Sequence, residues 1–205
     1  MTAGDDCRGA TAPHEQPLLV LVSGAPATGK TTLAHRLSEA LPLPLLARDA
    51  IGEILADAFD VQSREHGQAL MQPTFAIYYA VLDQLLRAGI SVITESNFHR
   101  DIAERDLRPC VARARTVLIH CQTARDVSIR RFIERFERGE RHRAALAGDE
   151  ERIARLRAGE LPDSWERAEP VAIDVPTLRV DTTSGYAPDF DAIVSFVRSV
   201  GRPAG

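Results

Sequence analysis

The chain has 205 residues, of which 44% are apolar and 26% are charged, and its formal net charge is −4. This length and composition are typical of one globular domain with its own core, and they exclude a largely disordered chain. The negative charge provides no overall attraction to nucleic acid or to anionic membranes, so such a partner would have to meet a local arginine cluster.

The terminal segments, the lengths of the apolar runs and the cysteine content indicate the cellular compartment of the protein and the limits of its domain. No apolar run approaches the ~20 residues of a membrane span, and the N-terminus lacks the pattern of a signal peptide. Cys7, Cys110 and Cys121 are odd in number and have no metal-ligand spacing, which is typical of a reducing compartment. We therefore predict a cytoplasmic protein without a membrane span, with a flexible leader at residues 1–16 and a single domain at residues 17–205.

Apolar periodicity and turn residues predict alternating strands and helices along the chain. The predicted strands cover residues 18–22, 43–47, 90–94, 116–121 and 178–181. The predicted helices cover residues 32–41, 51–58, about 68–88, 101–113 and 124–138, a segment up to about 158, and 189–200. This alternation predicts an α/β fold, a three-layer sandwich around a mainly parallel five-stranded sheet, whose ligands bind at the carboxyl ends of the strands.

A glycine-containing stretch directly after the first predicted strand has the composition of a phosphate-binding loop. Its residues are Gly24, Ala25, Pro26, Ala27, Thr28, Gly29, Lys30 and Thr31, and Thr32 follows in the next helix. Glycines let successive backbone N–H groups point at an anion, and the helix adds its positive end. Lys30 is then placed to reach the β- and γ-phosphates and Thr31 to hold Mg²⁺. Lys30 is the only lysine in a chain that otherwise uses arginine, which favours a functional reason for its position.

Two polar segments follow the second and third predicted strands, and both should face the same crevice as Lys30. Asp49, next to Arg48, is placed either to take a proton from an attacking hydroxyl or to cap the following helix. Glu95 is placed either to contact Mg²⁺, directly or through water, or to cap the next helix. Asn97 is placed to bind the acceptor. We predict that Asp49 is catalytic and that Glu95 also binds the metal ion. We further predict that the substrate is bound by Arg48, Asp49, Glu95 and Asn97.

The segment at about 124–160 has the pattern of two charged helices joined by a polar tip, which is typical of a lid. One face of its first helix carries Arg131, Arg135 and Arg138. A solvated face with ion pairs at i,i+4 spacing is one explanation. Those pairs would be Glu134 with Arg138 and Glu137 with Arg141. Because phosphoryl transfer spreads charge over phosphate oxygens, we predict that Arg131 or Arg135 is catalytic and that Arg138 binds the nucleotide.

In the order of these pieces the chain resembles small P-loop kinases related to the kinase half of phage polynucleotide kinase, to chloramphenicol phosphotransferase and to zeta toxins. The shared pieces are the phosphate loop, Arg48-Asp49, Glu95-Ser96-Asn97, the arginine-rich lid and the Val-Asp-Thr-Thr at 180–183. The resemblance covers roughly residues 18–200 and implies the nucleoside-monophosphate-kinase-like fold of the AAA-type P-loop superfamily. It further implies ATP as donor, with GTP as an alternative, Mg²⁺, Asp49 as base, and Thr182 and Thr183 near the adenine.

The function that we predict is an ATP-dependent kinase that transfers the γ-phosphate to a hydroxyl of a small molecule. A 5′-hydroxyl nucleic-acid kinase is a second possibility, although the negative charge and the scarcity of aromatic residues argue against it. Trp165, in a proline-flanked connector, fits a packing residue or a wall of the site better than a base-stacking platform. A third reading is a nucleotide-binding ATPase or switch whose lid motion is read by a partner.

Overall fold

The structure is a computed structural model that describes residues 16–61, 63–166 and 169–200. The predicted leader lies outside the described residues except for its last residue, Gln16. In the described part, five strands form one sheet in which all neighbours are parallel, in the order β2-β3-β1-β4-β5. The strands are β1 (Leu18–Gly24), β2 (Leu45–Ala47), β3 (Val92–Glu95), β4 (Arg115–Gln122) and β5 (Thr177–Asp181). The predicted α/β fold with a five-stranded parallel sheet is confirmed.

Helices connect the strands and cover both faces of the sheet. They are α1 (Lys30–Ala40), α2 (Arg48–Ala58), α3 (Arg64–Ala69), α4 (Met71–Arg87), α5 (Ala103–Val111), α6 (Arg125–Glu137), α7 (Arg143–Arg157), α8 (Asp163–Glu166) and α9 (Phe190–Val200). Within the part of the chain that the structure describes, none of them is both long and apolar enough to cross a membrane.

One predicted helix, at about residues 68–88, is interrupted near its start in the structure. Helix α3 ends at Ala69 and α4 begins at Met71, with Leu70 between them. The physical reason is Pro73, whose ring would clash with the carbonyl of Ala69 in a continuous helix and which lacks an N–H to donate. In the first turn of a new helix neither problem arises, so the chain restarts there.

The sheet register brings the ends of three strands together. Val22 of β1 lies beside Glu95 of β3, and Glu95 in turn lies beside Ala47 of β2. Because the phosphate loop follows β1, and Arg48 follows Ala47 directly, all three segments open onto the same edge of the sheet. The sequence predicts that these segments face one shared crevice, and this requires the strand register that the structure shows.

Among the residues that the structure describes, the buried apolar side chains form three clusters. One lies between the sheet and helices α1 and α9, and a second lies between the opposite face of the sheet and helices α4 and α5. The third is smaller and consists of Ala25, Phe132, Ile153 and Trp165, with partly buried neighbours from the same segments. It joins the phosphate loop to α6, α7 and α8, so the lid helices rest on the loop.

Candidate active site

The phosphate loop is a tight turn whose shape excludes larger side chains. Gly24 has a φ of 149°, and a Cβ atom there would lie 2.6 Å from Thr28 Oγ1 and closer still to the carbonyl oxygen of Cys121. Gly29, the N-cap residue of α1, has a left-handed φ of 77°. Thr28 Oγ1 donates to the Ala25 carbonyl at 2.9 Å and holds the loop closed. Both glycines therefore have the structural roles that the motif predicts.

Lys30 and Thr31 both contact the same buried carboxylate. Lys30 Nζ lies 3.7 Å from Glu95 Oε1, and Thr31 Oγ1 donates to Glu95 Oε2 at 3.3 Å. Lys30 Nζ also donates to the Ala25 carbonyl at 3.5 Å. The carboxylate thus adjoins the two residues of the loop that are expected to meet phosphate and metal.

The position of Glu95 is chemically unusual because it is a carboxylate that is only 2% exposed. Burial raises its pKa, Lys30 opposes this shift, and the negative charge of Asp49 adds to it. Glu95 is the last residue of β3, whereas the next helix has Ile102 as its N-cap residue, so helix capping does not explain it. Its Oε1 accepts no hydrogen bond from the described residues. A buried oxygen of this kind suits a bound cation.

Arg48 and Asp49 form the first turn of α2 at the mouth of the same crevice. Arg48 Nη2 lies 2.5 Å from Asp49 Oδ1, and the guanidinium stacks over the ring of Phe75 with its carbon 5.4 Å from the ring centroid. The side chain of Asp49 is 50% exposed. The N-cap residue of α2 is Ala47, and no side chain in the described part of the protein makes a capping hydrogen bond there. The capping alternative for Asp49 is therefore wrong, because Asp49 lies inside the helix.

Asn97 lies just beyond the end of β3 and is half-buried. Its backbone carbonyl accepts a hydrogen bond of 3.1 Å from Ser23 Oγ, which ties the exit of β3 to the end of β1. Its side-chain amide has no hydrogen bond within the described chain, so the amide can turn towards an acceptor. Its predicted role in binding substrate stays a prediction.

Thr182 and Thr183, after β5, lie against the phosphate loop and the start of the lid. Thr182 Oγ1 donates to the carbonyl of Thr28 at 2.7 Å, and Thr183 Oγ1 shares a hydrogen bond of 2.9 Å with Thr123 Oγ1. The Arg131 guanidinium donates to the Thr182 carbonyl at 3.1 Å from both terminal nitrogens and to the Thr183 carbonyl at 2.8 Å. Arg131 therefore holds this loop in the conformation that the structure shows.

The other two predicted lid arginines are on the exposed side of α6. Arg138 is the C-cap residue and donates two hydrogen bonds to Glu140, at 2.7 and 3.2 Å. It also lies 4.0 Å from Glu134, as the i,i+4 spacing predicts. Arg135 is exposed. Contact of either arginine with a nucleotide stays a prediction.

The second predicted ion pair of the lid, between Glu137 and Arg141, is replaced by other pairs. Because α6 ends at Glu137, Arg141 is no longer on the same helix. Its Nε donates instead to the fully buried Asp149 at 2.7 Å, and Glu137 pairs with Arg157 at 2.9 Å. The i,i+4 spacing brings two side chains together only within one helix, and Arg141 lies beyond the turn at Gly139.

Two hydrogen bonds in the core support the site on the side away from the crevice, and the sequence alone did not predict them. The Tyr78 hydroxyl and Thr94 Oγ1 are hydrogen-bonded in the core, and Thr94 Oγ1 also donates to the Leu46 carbonyl at 2.9 Å. These contacts fix β2 against β3 next to Glu95. An apolar helix face that contains tyrosines and a strand with one threonine carry no local signal for such a pair.

The fold and this site define a P-loop protein of the small-kinase type. A family profile described as an AAA domain matches residues 19–159, and the chain therefore belongs to that family, among the small P-loop kinases of the AAA-type superfamily.

Individual relatives support this placement. Shikimate kinase of Mycobacterium leprae is 28% identical over 171 residues, which cover 81% of this chain and 74% of that protein. A crystal structure from Chloroflexus aurantiacus, described as a candidate kinase, is 30% identical with a TM-score of 0.74 and covers 90% of this chain and 98% of its own. The Mycobacterium tuberculosis APS kinase, solved with AMPPNP and APS, is 16% identical with a TM-score of 0.56 over 92% and 98% of the two chains, and it shares the fold.

Proposed function

We propose that this protein is an ATP-dependent kinase that transfers the γ-phosphate to a hydroxyl of a small molecule, with Asp49 as the general base. The proposal treats residues 17–205 as a single kinase domain with its lid at about 124–160. Membership of a small-kinase family supports it, as does the similarity to shikimate kinase, an enzyme named for a small-molecule substrate.

The observation that carries the proposal is the convergence of three strand ends on Glu95. Lys30 and Thr31 approach Glu95 from the phosphate loop, at 3.7 and 3.3 Å. On the other side of Glu95 lies Ala47 of β2, and Arg48 and Asp49 follow Ala47 directly in the chain. A nucleotide held by the loop would therefore present its terminal phosphate next to the base.

The proposed reaction assigns one task to each of these residues. Asp49 accepts the proton of the acceptor hydroxyl while the acceptor oxygen forms a bond to the γ-phosphorus. The bond between the γ-phosphorus and the β–γ bridging oxygen breaks, and ADP leaves with the electron pair. Lys30 neutralises charge on the β- and γ-phosphates, and Arg135 is the lid arginine that we assign to the transferring group.

The residues present fit a magnesium ion bound together with the nucleotide. A hydroxyl oxygen, Thr31 Oγ1, and a buried carboxylate oxygen of Glu95 lie 3.3 Å apart, and Mg²⁺ prefers oxygen ligands of these kinds. Thr31 would hold the ion, and Glu95 would bind it directly or through water. When bound, the ion would neutralise charge on the phosphate oxygens.

The lid packing favours a small acceptor over the end of a polynucleotide. Helix α7 packs against α3 and α2, the helix that begins with Arg48 and Asp49. At the tip of the lid, His142 Nε2 lies 3.3 Å from Asp57 Oδ1 of α2. A lid seated on the acceptor side encloses the substrate and excludes water, whereas a polynucleotide end would require an open groove.

The experiment that tests the proposal is phosphoryl transfer from γ-labelled ATP to panels of sugars, antibiotics, nucleosides and oligonucleotides. We expect a labelled small-molecule product with the unmodified chain and no product with Lys30→Ala. Label on oligonucleotides alone would replace the proposal with a nucleic-acid kinase. ATP hydrolysis without transfer to any member of the panels would support the ATPase or switch.

A further inference from the structure

Trp165 connects the lid to the phosphate loop. It is the only tryptophan of the chain, it is 5% exposed, and it lies in the single turn of α8. Its ring meets that of Phe132 on α6 edge-on, with the centroids 5.1 Å apart and the planes at 88°. Its indole N–H donates to Ser128 Oγ, also on α6, at 3.0 Å. Two contacts of different kinds thus fix the indole to the first lid helix.

The same cluster contains a residue of the phosphate loop. Ala25, which is 8% exposed, packs with Trp165 and Phe132, and the partly buried Ala27 packs against them. This cluster is separate from the two larger apolar clusters that flank the sheet. The outer side of the phosphate loop therefore packs on side chains of the lid segment.

Ala25 also contacts the side chain of Lys30. The Ala25 carbonyl accepts hydrogen bonds from Thr28 Oγ1 at 2.9 Å and from Lys30 Nζ at 3.5 Å. A displacement of Ala25 would therefore change the curl of the loop and the starting position of the ammonium group together. Hydrogen-bond donors must be held in position to bind phosphate strongly, so this displacement bears directly on nucleotide affinity.

A cavity makes Trp165 important to the support of the loop. It has a volume of about 270 Å³, and Ala25, Thr28, Ser128 and Trp165 are among the residues that line it. Ala25 and Trp165 line the same cavity, so removal of the indole would enlarge it beside the loop and remove apolar contacts there.

We propose that Trp165 is a positioning residue that, through Ala25, sets the geometry of the phosphate loop and couples it to the lid. This inference rests on the proposed nucleotide site, but not on the identity of the acceptor. It predicts that Trp165 acts more on the phosphates of the nucleotide than on its base, because its ring and its N–H contact Phe132 and Ser128 and it shares an apolar cluster with Ala25 of the loop.

The test measures binding of MgATP, MgADP and adenosine by calorimetry, at a temperature at which all variants are folded. We expect Trp165→Ala to weaken binding of both nucleotides by about tenfold or more and binding of adenosine by less than about twofold. Trp165→Phe, which keeps a ring against Phe132, should restore most of the nucleotide affinity. Leu107→Ala, at a fully buried position of α5, is the control for a destabilised core and should lower the melting temperature without this selective loss.

The fluorescence of the unmodified chain provides a second readout, because all of the tryptophan emission comes from Trp165. We expect MgATP and MgADP to shift this emission and adenosine to leave it unchanged. If Trp165→Ala does not fold, Ser128→Ala and the fluorescence of the unmodified chain decide the matter, since loss of the hydrogen bond to the indole should weaken MgADP binding measurably in Ser128→Ala.

Two negative results have different meanings. If the unmodified chain binds neither MgATP nor MgADP, the proposed function fails. If it binds them, but the Trp165 variants bind them equally well or the emission responds to adenosine as it does to MgADP, the coupling through Ala25 is overturned and the proposed function stands.

Discussion

Replacement of Arg131 by alanine tests whether this lid arginine stabilises the loop after β5 or contacts the transferring phosphoryl group. In the structure its guanidinium donates three hydrogen bonds to the carbonyls of Thr182 and Thr183, at 2.8 to 3.1 Å. A residue in this position stabilises the loop after β5. An arginine that served only the transferring phosphoryl group would instead be dispensable for folding.

The size of the effect follows from these contacts. A hydrogen bond to a charged group contributes about 1.5–3 kcal/mol net, but the three bonds of one half-buried guanidinium share two acceptors and are not additive. We therefore expect Arg131→Ala to cost about 2–3 kcal/mol of folding free energy. At about 2–4 °C per kcal/mol for a domain of this size, the melting temperature should fall by about 4–12 °C.

Thermal unfolding and steady-state kinetics together provide the assay, with Arg135→Ala, one helical turn further along, as the control for stability only, because we assign Arg135 itself to the transferring phosphoryl group. Arg135 is exposed, so its replacement should change stability by no more than about 0.5 kcal/mol. We expect Arg131→Ala to raise KM for ATP and to lower kcat by less than about tenfold. A kcat lower by about 10³ with an unchanged melting temperature would refute this reasoning and make Arg131 the phosphoryl contact.

Four further substitutions test the rest of the site. Lys30→Ala should abolish ATP turnover, and a retained rate would show that the loop is only structural. Thr31→Ala should reduce the dependence of nucleotide affinity on Mg²⁺, which calorimetry with and without the ion measures. Asp49→Asn should lower phosphoryl transfer by about 10²–10⁴ while MgATP affinity and melting temperature stay close to normal, and near-normal transfer would contradict its role as base. Glu95→Gln should raise the melting temperature at neutral pH, because burial raises the pKa of Glu95 and the charged form destabilises the folded state. That stability difference should disappear as the pH falls below the ordinary pKa of glutamate, and a difference independent of pH would contradict the explanation.

Several features of this protein can be predicted from short stretches of sequence, because their physical cause is local. The phosphate loop depends on consecutive residues, and Gly24 and Gly29 have there the backbone angles that the motif requires. The parallel sheet follows from apolar runs that alternate with helical periods. The prediction that Asp49 and Glu95 follow neighbouring strands also needs only chain order and the topology of such sheets.

The tertiary structure decided which side chains meet. The lid arginines are alike in sequence, yet Arg131 holds a loop that lies about fifty residues away and Arg138 pairs with Glu140. Trp165 contacts the phosphate loop across most of the chain length. Such contacts depend on the register of the strands and on the angle at which the lid helices pack, and both are set by the summed packing of many residues rather than by any local pattern.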